Sequence, residues 1–101
     1  MSLTDRGASS TAEIATIEPA RIILRLCKHW GHKFAVRYDE QSGEIALTGY
    51  GSCSMQQVPG GLAFRLHCPD PDMLPRLQQV VAEHAQRMAR DETFHFHWAA
   101  A

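Results

Sequence analysis

Hydrophobic residues along this chain change their period several times, and each change marks an element. Between Pro19 and Gly31, apolar Ala20, Ile23, Cys27 and Trp30 return at three- and four-residue steps, while Arg21, Arg25, Lys28 and His32 form the opposing row. This predicts an amphipathic helix with a basic outer edge. Pro19 suits its first turn, and Gly31 stands where a left-handed helix end meets no Cβ clash. From Phe34 the period drops to two: Phe34, Val36 and Tyr38 alternate with Ala35, Arg37 and Asp39, and Asp39-Glu40-Gln41-Ser42-Gly43 turns the chain. A strand follows through Ile45 and Leu47, then a break at Gly49 and Gly51 and a third strand marked by Cys53 and Met55. Pro59-Gly60-Gly61 turns into a fourth, with Leu62, Phe64, Leu66 and Cys68 alternating. Four such strands in succession predict an antiparallel meander.

A second helix is announced by Asp70-Pro71-Asp72, where either aspartate can accept free backbone N–H groups, and Pro75 is tolerated because it falls in the opening turn. Its apolar stripe runs from Met73 or Leu74 through Leu77, Val80, Val81, His84 and Ala85 to Met88. Thr93-Phe94-His95-Phe96-His97-Trp98 alternates strictly, which predicts a last strand with three aromatics on one side and two histidines on the other. At the other end, Ala12 to Ile17 is short and partly β-branched and predicts the first strand. Residues 1–10, polar and small, predict a disordered tail and leave a single α+β domain over residues 11–101.

The order β-α-β-β-β-β-α-β implies a mainly antiparallel sheet with two helices on one face, because each helix has a single apolar stripe to cover. The reverse face is then left to solvent or a partner. With the aromatics inward, Arg37, Arg65, His67, His95 and His97 point outward beside Ser52, Ser54 and Gln56, a basic, histidine-rich surface.

Composition narrows the classes. A chain of 101 residues with 45 % apolar and 21 % charged positions has the make-up of an ordinary globule able to bury roughly 60–70 % of its unfolded surface. Its net charge of -1 argues against bulk attraction to nucleic acid or acidic membrane, and no aromatic stands among the basic positions to stack bases. No apolar run approaches the ~20 residues of a membrane span. Cys27, Cys53 and Cys68 are an odd set with no Cys-x-x-Cys pair, which suits a reducing, cytoplasmic setting. Cys53 and Cys68 fall in the apolar set of their strands, where a thiol is inert.

The residues with the most chemistry are Cys27-Lys28-His29-Trp30-Gly31-His32. His29 and His32, three apart at a helix end, are spaced to share a transition metal, but Cys27 projects to the far side of the helix and is a poor third ligand. The blander alternative makes Cys27 and Trp30 core residues and the two histidines caps for the helix carbonyls. His95 and His97, about 7 Å apart on one side of a strand, are spaced to chelate metal or flank an anion. His67 joins them only if its strand is a neighbour. His84, on an apolar helix face, reads as a hydrogen-bonded core histidine. Arg21, Arg25 and Lys28 could pair with phosphate or carboxylate groups, although such rows are usually solvated.

Thr11-Ala12-Glu13-Ile14-Ala15-Thr16, Pro19-Ala20-Arg21, Leu26-Cys27-Lys28-His29-Trp30-Gly31-His32-Lys33 and Tyr38-Asp39-Glu40 together resemble the bacterial family called domain of unknown function 2218. The resemblance covers nearly everything after the tail. It implies a small stand-alone protein, often encoded beside siderophore or iron-uptake functions. It also implies a fold similar to the TATA-box-binding-protein-like fold and to the last domain of phosphohexomutases. No catalytic residue comes with it.

Residues and resemblance together point to a non-enzymatic binding module, accessory to siderophore or iron metabolism. Its site is the exit of the first helix or the open sheet face, and its ligand an anionic small molecule, a metal chelate or a protein. The alternative is a small metal-dependent, lyase-like enzyme centred on His29 and His32. The chain carries neither a Schiff-base lysine in an apolar strand nor a Glu/His/Asp metal set. A monomer and a homodimer that buries the sheet face both fit.

Overall fold

Every strand pairing in the computed structural model, which describes residues 7–101, is antiparallel. The elements run β1 (Ala8–Ala15), α1 (Pro19–Trp30), β2 (Ala35–Tyr38), β3 (Ser42–Leu47), β4 (Gly51–Val58), β5 (Gly61–Cys68), a 3-10 turn (Pro71–Met73), α2 (Leu74–Met88) and β6 (Ala99–Ala100). They form one sheet in the order β2-β3-β4-β5-β1-β6. The meander pairs neighbour with neighbour, and β1 then returns to lie beside β5 with Ala8 opposite Cys68 and Ala15 opposite Gly61. The expected α+β fold and element order are present.

The two-residue period decides which side each strand buries. Val36, Ile45, Cys53 and Leu66 lie in one cross-sheet row beneath the helices, and Met55 and Phe64 in the next. From Ile45 onward these side chains are almost fully buried, and each such burial is worth roughly 1.5–3 kcal/mol for a large apolar group. Helix α1 covers this face across β2, β3 and β4 through Ile22, Ile23, Leu26, Cys27 and Trp30, and α2 packs on β5 and α1 through Leu77, Val81 and Ala85. Gly43 sets how closely α1 docks. A Cβ there would lie 3.0 Å from Ile23 Cγ2 and 3.2 Å from Cys27 Sγ, so the bare backbone lets the helix sit down on β3.

Order begins earlier than the sequence suggests. The expected tail over residues 1–10 is corrected from Gly7 onward, since β1 starts at Ala8; residues 1–6 lie outside the described part. Ser10 carries no apolar signal, yet it sits in the core row opposite Leu66, 2 % exposed, where its hydroxyl accepts a hydrogen bond from Gln78 Nε2 of α2 at 3.0 Å. A buried hydroxyl is cheap once it is bonded.

The end of the chain also departs from expectation. Phe94 is buried and Phe96 and Trp98 are packed half-buried against the core, while His95 and His97 are exposed, so the alternation holds. It is not a strand ladder. Only Ala99 and Ala100 pair, with Thr11 and Ser10. Residues 94–98 are held instead by their rings: Phe96 stacks on Trp98 at 5.5 Å and meets Phe64 edge-on at 5.3 Å. Upstream, the Glu92 carboxylate accepts from Thr16 Oγ1 (2.8 Å) and the Ile17 N–H (3.1 Å), and Gln86 Oε1 accepts from the Phe94 N–H. Alternation reports which side faces the core, and says nothing about whether a backbone partner is within reach.

The 3-10 turn that leads into α2 is capped by Asp70, whose Oδ1 accepts from the Asp72 N–H at 3.0 Å, and Pro75 falls in the first turn of α2 itself. Helix α1 ends differently. Gly31 has φ -64°, an ordinary right-handed value, and its glycine is explained by proximity instead: a Cβ would stand 2.7 Å from the Cys27 carbonyl oxygen. The last carbonyls are taken by backbone amides, Gly31 N–H to Cys27 O and Phe34 N–H to Trp30 O, both 2.8 Å. These amides do the capping that the sequence assigned to His29 and His32, which leaves both imidazoles for the surface.

Candidate functional site

The exit of α1 opens onto a cavity of about 610 Å³ built by three segments far apart in the chain. The last turn of α1 contributes His29 and Trp30, and the turn after it contributes His32, Lys33 and Phe34. The end of β3 and the following turn supply Leu47 and Tyr50. Met73, Arg76, Leu77 and Val80 come from the start of α2. Phe34 and Tyr50 meet edge-on at 6.5 Å, and Lys33 Nζ lies 5.8 Å from the Phe34 ring centre, within range of a cation–π contact. Tyr50 is 53 % exposed and Met73 41 %, so two large apolar groups stand at the mouth.

The walls are tied together from behind. Gly49 at φ +94° permits the tight turn in which the Tyr50 N–H donates to Leu47 O. The buried Cys68 thiol lies 3.1 Å from Tyr50 O and 3.0 Å from Asp70 O, joining that turn to the start of the α2 segment. Trp30 is held by His84, whose ring lies 4.8 Å from it and 5.1 Å from His29. His84 Nδ1 is 2.7 Å from Val80 O, which requires the proton on that nitrogen and makes His84 the hydrogen-bonded histidine its position suggested.

The electrostatics of the cavity have one sign. Lys33 and Arg76 supply positive charge, His29 and His32 add two imidazoles, and among the described residues no aspartate or glutamate lines it. The His29 pKa is held below its ordinary 6.5, first by partial burial and then by the positive charges of His84, His32 and Arg87. A bound anion would act in the opposite sense and favour the imidazolium.

The proposed metal pair, His29 and His32, therefore shares a cavity rim. Among the described residues no group of three or more His, Cys, Asp or Glu side chains is gathered as for a metal ion. Cys27 faces the core, where burial pushes its thiol up to about 11; burial pushes Cys53 up to about 12. All three cysteines are buried and unpaired. Two members of the basic row of α1 are committed elsewhere: Arg21 pairs with Glu18 at 3.0 Å, and Arg25 donates to Met88 O at 2.6 Å, closing the end of α2.

On the open sheet face, register places Arg37, Glu44, Ser54, Arg65 and Thr11 in one row, with Ala99 at its end. Arg37 is engaged by Glu44 at 2.7 Å. Arg65 shares a shallow concavity of about 710 Å³ with His97 and a smaller one with His67. His67 itself lies opposite Ser9, with 2.8 Å between its Nδ1 and Ser9 Oγ. The three histidines do not converge. β1 lies between β5 and β6, and extending the β1–β6 register puts His97 near Glu13, roughly 16 Å from His67 by strand geometry. His95 is exposed and joins neither concavity.

Comparison with known proteins bears on this architecture as a whole. Residues 11–99 match the family described as an uncharacterised protein conserved in bacteria, DUF2218. The chain belongs to this family. The NMR structure of PA4090 from Pseudomonas aeruginosa is similar to it at 40 % sequence identity and a TM-score of 0.74, over 91 % of this chain and 95 % of that one. No curated protein matches as a relative. For this DUF2218 chain, no helix among the described residues is long and apolar enough to cross a membrane. Sequence reasoning named the exit of α1 but missed Phe34, Tyr50 and Arg76, the residues that make it a cavity. Its signals were Tyr50 between two glycines and Arg76 in the first turn of α2, both outside the apolar periods.

Proposed function

We propose that the protein is a non-enzymatic binding module whose site is the cavity at the exit of α1, and that its ligand is a small organic anion with an apolar, preferably aromatic, body. One observation carries this reading: among the described residues, every charged side chain around the apolar and aromatic floor is basic. The volume falls in the ordinary range for small-molecule sites, ~300–1,000 Å³. A ring laid against Phe34, Tyr50 and Trp30 removes apolar surface from water, and a carboxylate at the rim reaches Lys33 and Arg76. His29 and His32 act here as contacts to the anion. An anionic metal chelate of the siderophore kind, suggested by the family resemblance, combines the same two properties, and an accessory role in iron metabolism follows from that choice of ligand. Unpaired buried thiols suit a reducing compartment such as the cytoplasm.

The test uses 2-naphthoate as probe, with 2-naphthylmethanol as its uncharged analogue, followed by amide and ring NMR shifts. Naphthoate should move Lys33, Phe34, Tyr50 and Arg76, with Arg76→Ala weakening it about tenfold, the loss of roughly 1.4 kcal/mol expected for one charge-assisted contact. Equal binding of the two probes removes the anion from the reading; shifts confined to Arg65 and His97 move the site to the sheet face; no shifts at millimolar probe end it.

A further inference from the structure

The unhelical face of the sheet has a charge pattern that matches itself. Arg65 on β5 and Glu44 on β3 lie in the same cross-sheet row, one strand either side of Ser54 on β4. A two-fold axis running along β4 therefore places Arg65 of one copy over Glu44 of the other, twice, with Ser54 over Ser54 at the centre. The neighbouring rows obey the same operation. Ala63 falls over Ser42, and His67 over Ala46, so on the strands flanking the axis short side chains face short or medium ones and no like charges are opposed; Glu13 and Asp39 face each other only two strands out, at the margin. We infer that this face is an isologous interface between two copies of the chain, closed by reciprocal Arg65–Glu44 pairs.

Within one chain Arg65 has no ion-pair partner among the described residues and is exposed, flanked by Ser54 and Thr11. Glu44 is held on its Oε2 by Arg37, which leaves Oε1 for a second guanidinium. Packed sheets rotate by about 30°, which displaces a residue one strand from the axis by only about 2.5 Å, within the reach of an arginine side chain. The face spans about 24 Å across the strands and about 20 Å along them, roughly 480 Å² in outline, below the ~800 Å² per partner of standard interfaces and in the range of weak, transient encounters. The dimer is accordingly weak and reversible, in line with a face whose contacts are polar. This interface lies on the opposite side of the sheet from the cavity, and neither reading depends on the other.

Sedimentation equilibrium of the full chain up to millimolar protein tests it. The mass should climb from 11.3 kDa towards twice that value. Arg65→Glu and Glu44→Arg should each remain at the single-chain mass where the parent is dimeric, because each opposes like charges across the axis. An equimolar mixture of the two variants should dimerise again. One variant is then acidic at both positions and the other basic at both, so each carboxylate meets a guanidinium across the axis. Restoration by mixing also shows that both variants are folded. A parent that stays single at millimolar concentration, an assembly larger than two, single variants that still dimerise, or a mixture that does not recover would each overturn the interface.

Discussion

The two faces of this molecule's sheet are made of the same strands and differ in what they can recognise. The open face is shallow, small-residued and polar, and every position on it follows from counting by two along β2 to β5. The helix-covered side ends in a cavity with aromatic walls and a rim of one charge, assembled from the exit of α1, the turn after β3 and the start of α2. A shallow polar surface suits another surface of matching charge, whereas a concave apolar site with few polar groups suits a small molecule. One sheet can thus carry two kinds of recognition, one for each of its sides.

The sharpest way to break this contrast is to change adjacent residues of β5. Leu66→Ala, on the covered side and fully buried, should cost about 2–5 kcal/mol in urea or thermal unfolding, because it removes transfer energy and leaves a cavity in the core beneath α2. A loss below ~1 kcal/mol would mean the helices do not press on β5. A smaller effect comes from pH. His29 in the folded chain takes up its proton below the ordinary 6.5, so between those two values the unfolded chain binds more protons. Stability should therefore fall as pH drops through that window, while affinity for naphthoate should rise, because protonation adds positive charge to the rim. Parallel slopes in unfolding and ligand titrations would show that His29 does not face the ligand. The smallest effect is expected at the neighbour of Leu66: Arg65→Ala should shift stability by no more than about 0.5 kcal/mol. A larger loss would place Arg65 in the fold's own energetics and not on a free surface.

Most of the architecture could be read from the chain because helix and strand periods differ and are seldom interrupted. Ile23, Cys27 and Trp30 mark one face of α1, and Leu62, Phe64 and Leu66 mark one side of β5, whatever they pack against. Where the reading failed, the deciding partner was distant. Ser10 is buried because Gln78, sixty-eight residues away, supplies its hydrogen bond. Gly31 is required by a carbonyl four residues back, although its backbone angles suit any residue. Phe94, Phe96 and Trp98 alternate like a strand but anchor by ring contacts, because Glu92 and Gln86 hold the preceding segment to Thr16 and α2. The candidate histidines divide in the same way. His95 and His97 were placed outward correctly by parity, yet parity could not bring His67 to them, since strand order interposes β1.

What the amino-acid order determined by itself is local: which segments are helix or strand, which side of each is apolar, and hence that two helices cover one side of an antiparallel sheet. Those properties depend on residues within a few positions of one another, and the backbone repeats of helix and strand translate them directly into faces. The tertiary structure alone decided that Trp30, Phe34 and Tyr50 share a wall with Lys33 and Arg76, and that Arg65 and Glu44 straddle β4 symmetrically. Both are distances between segments far apart in sequence, set by strand order and helix docking, and no local period encodes them.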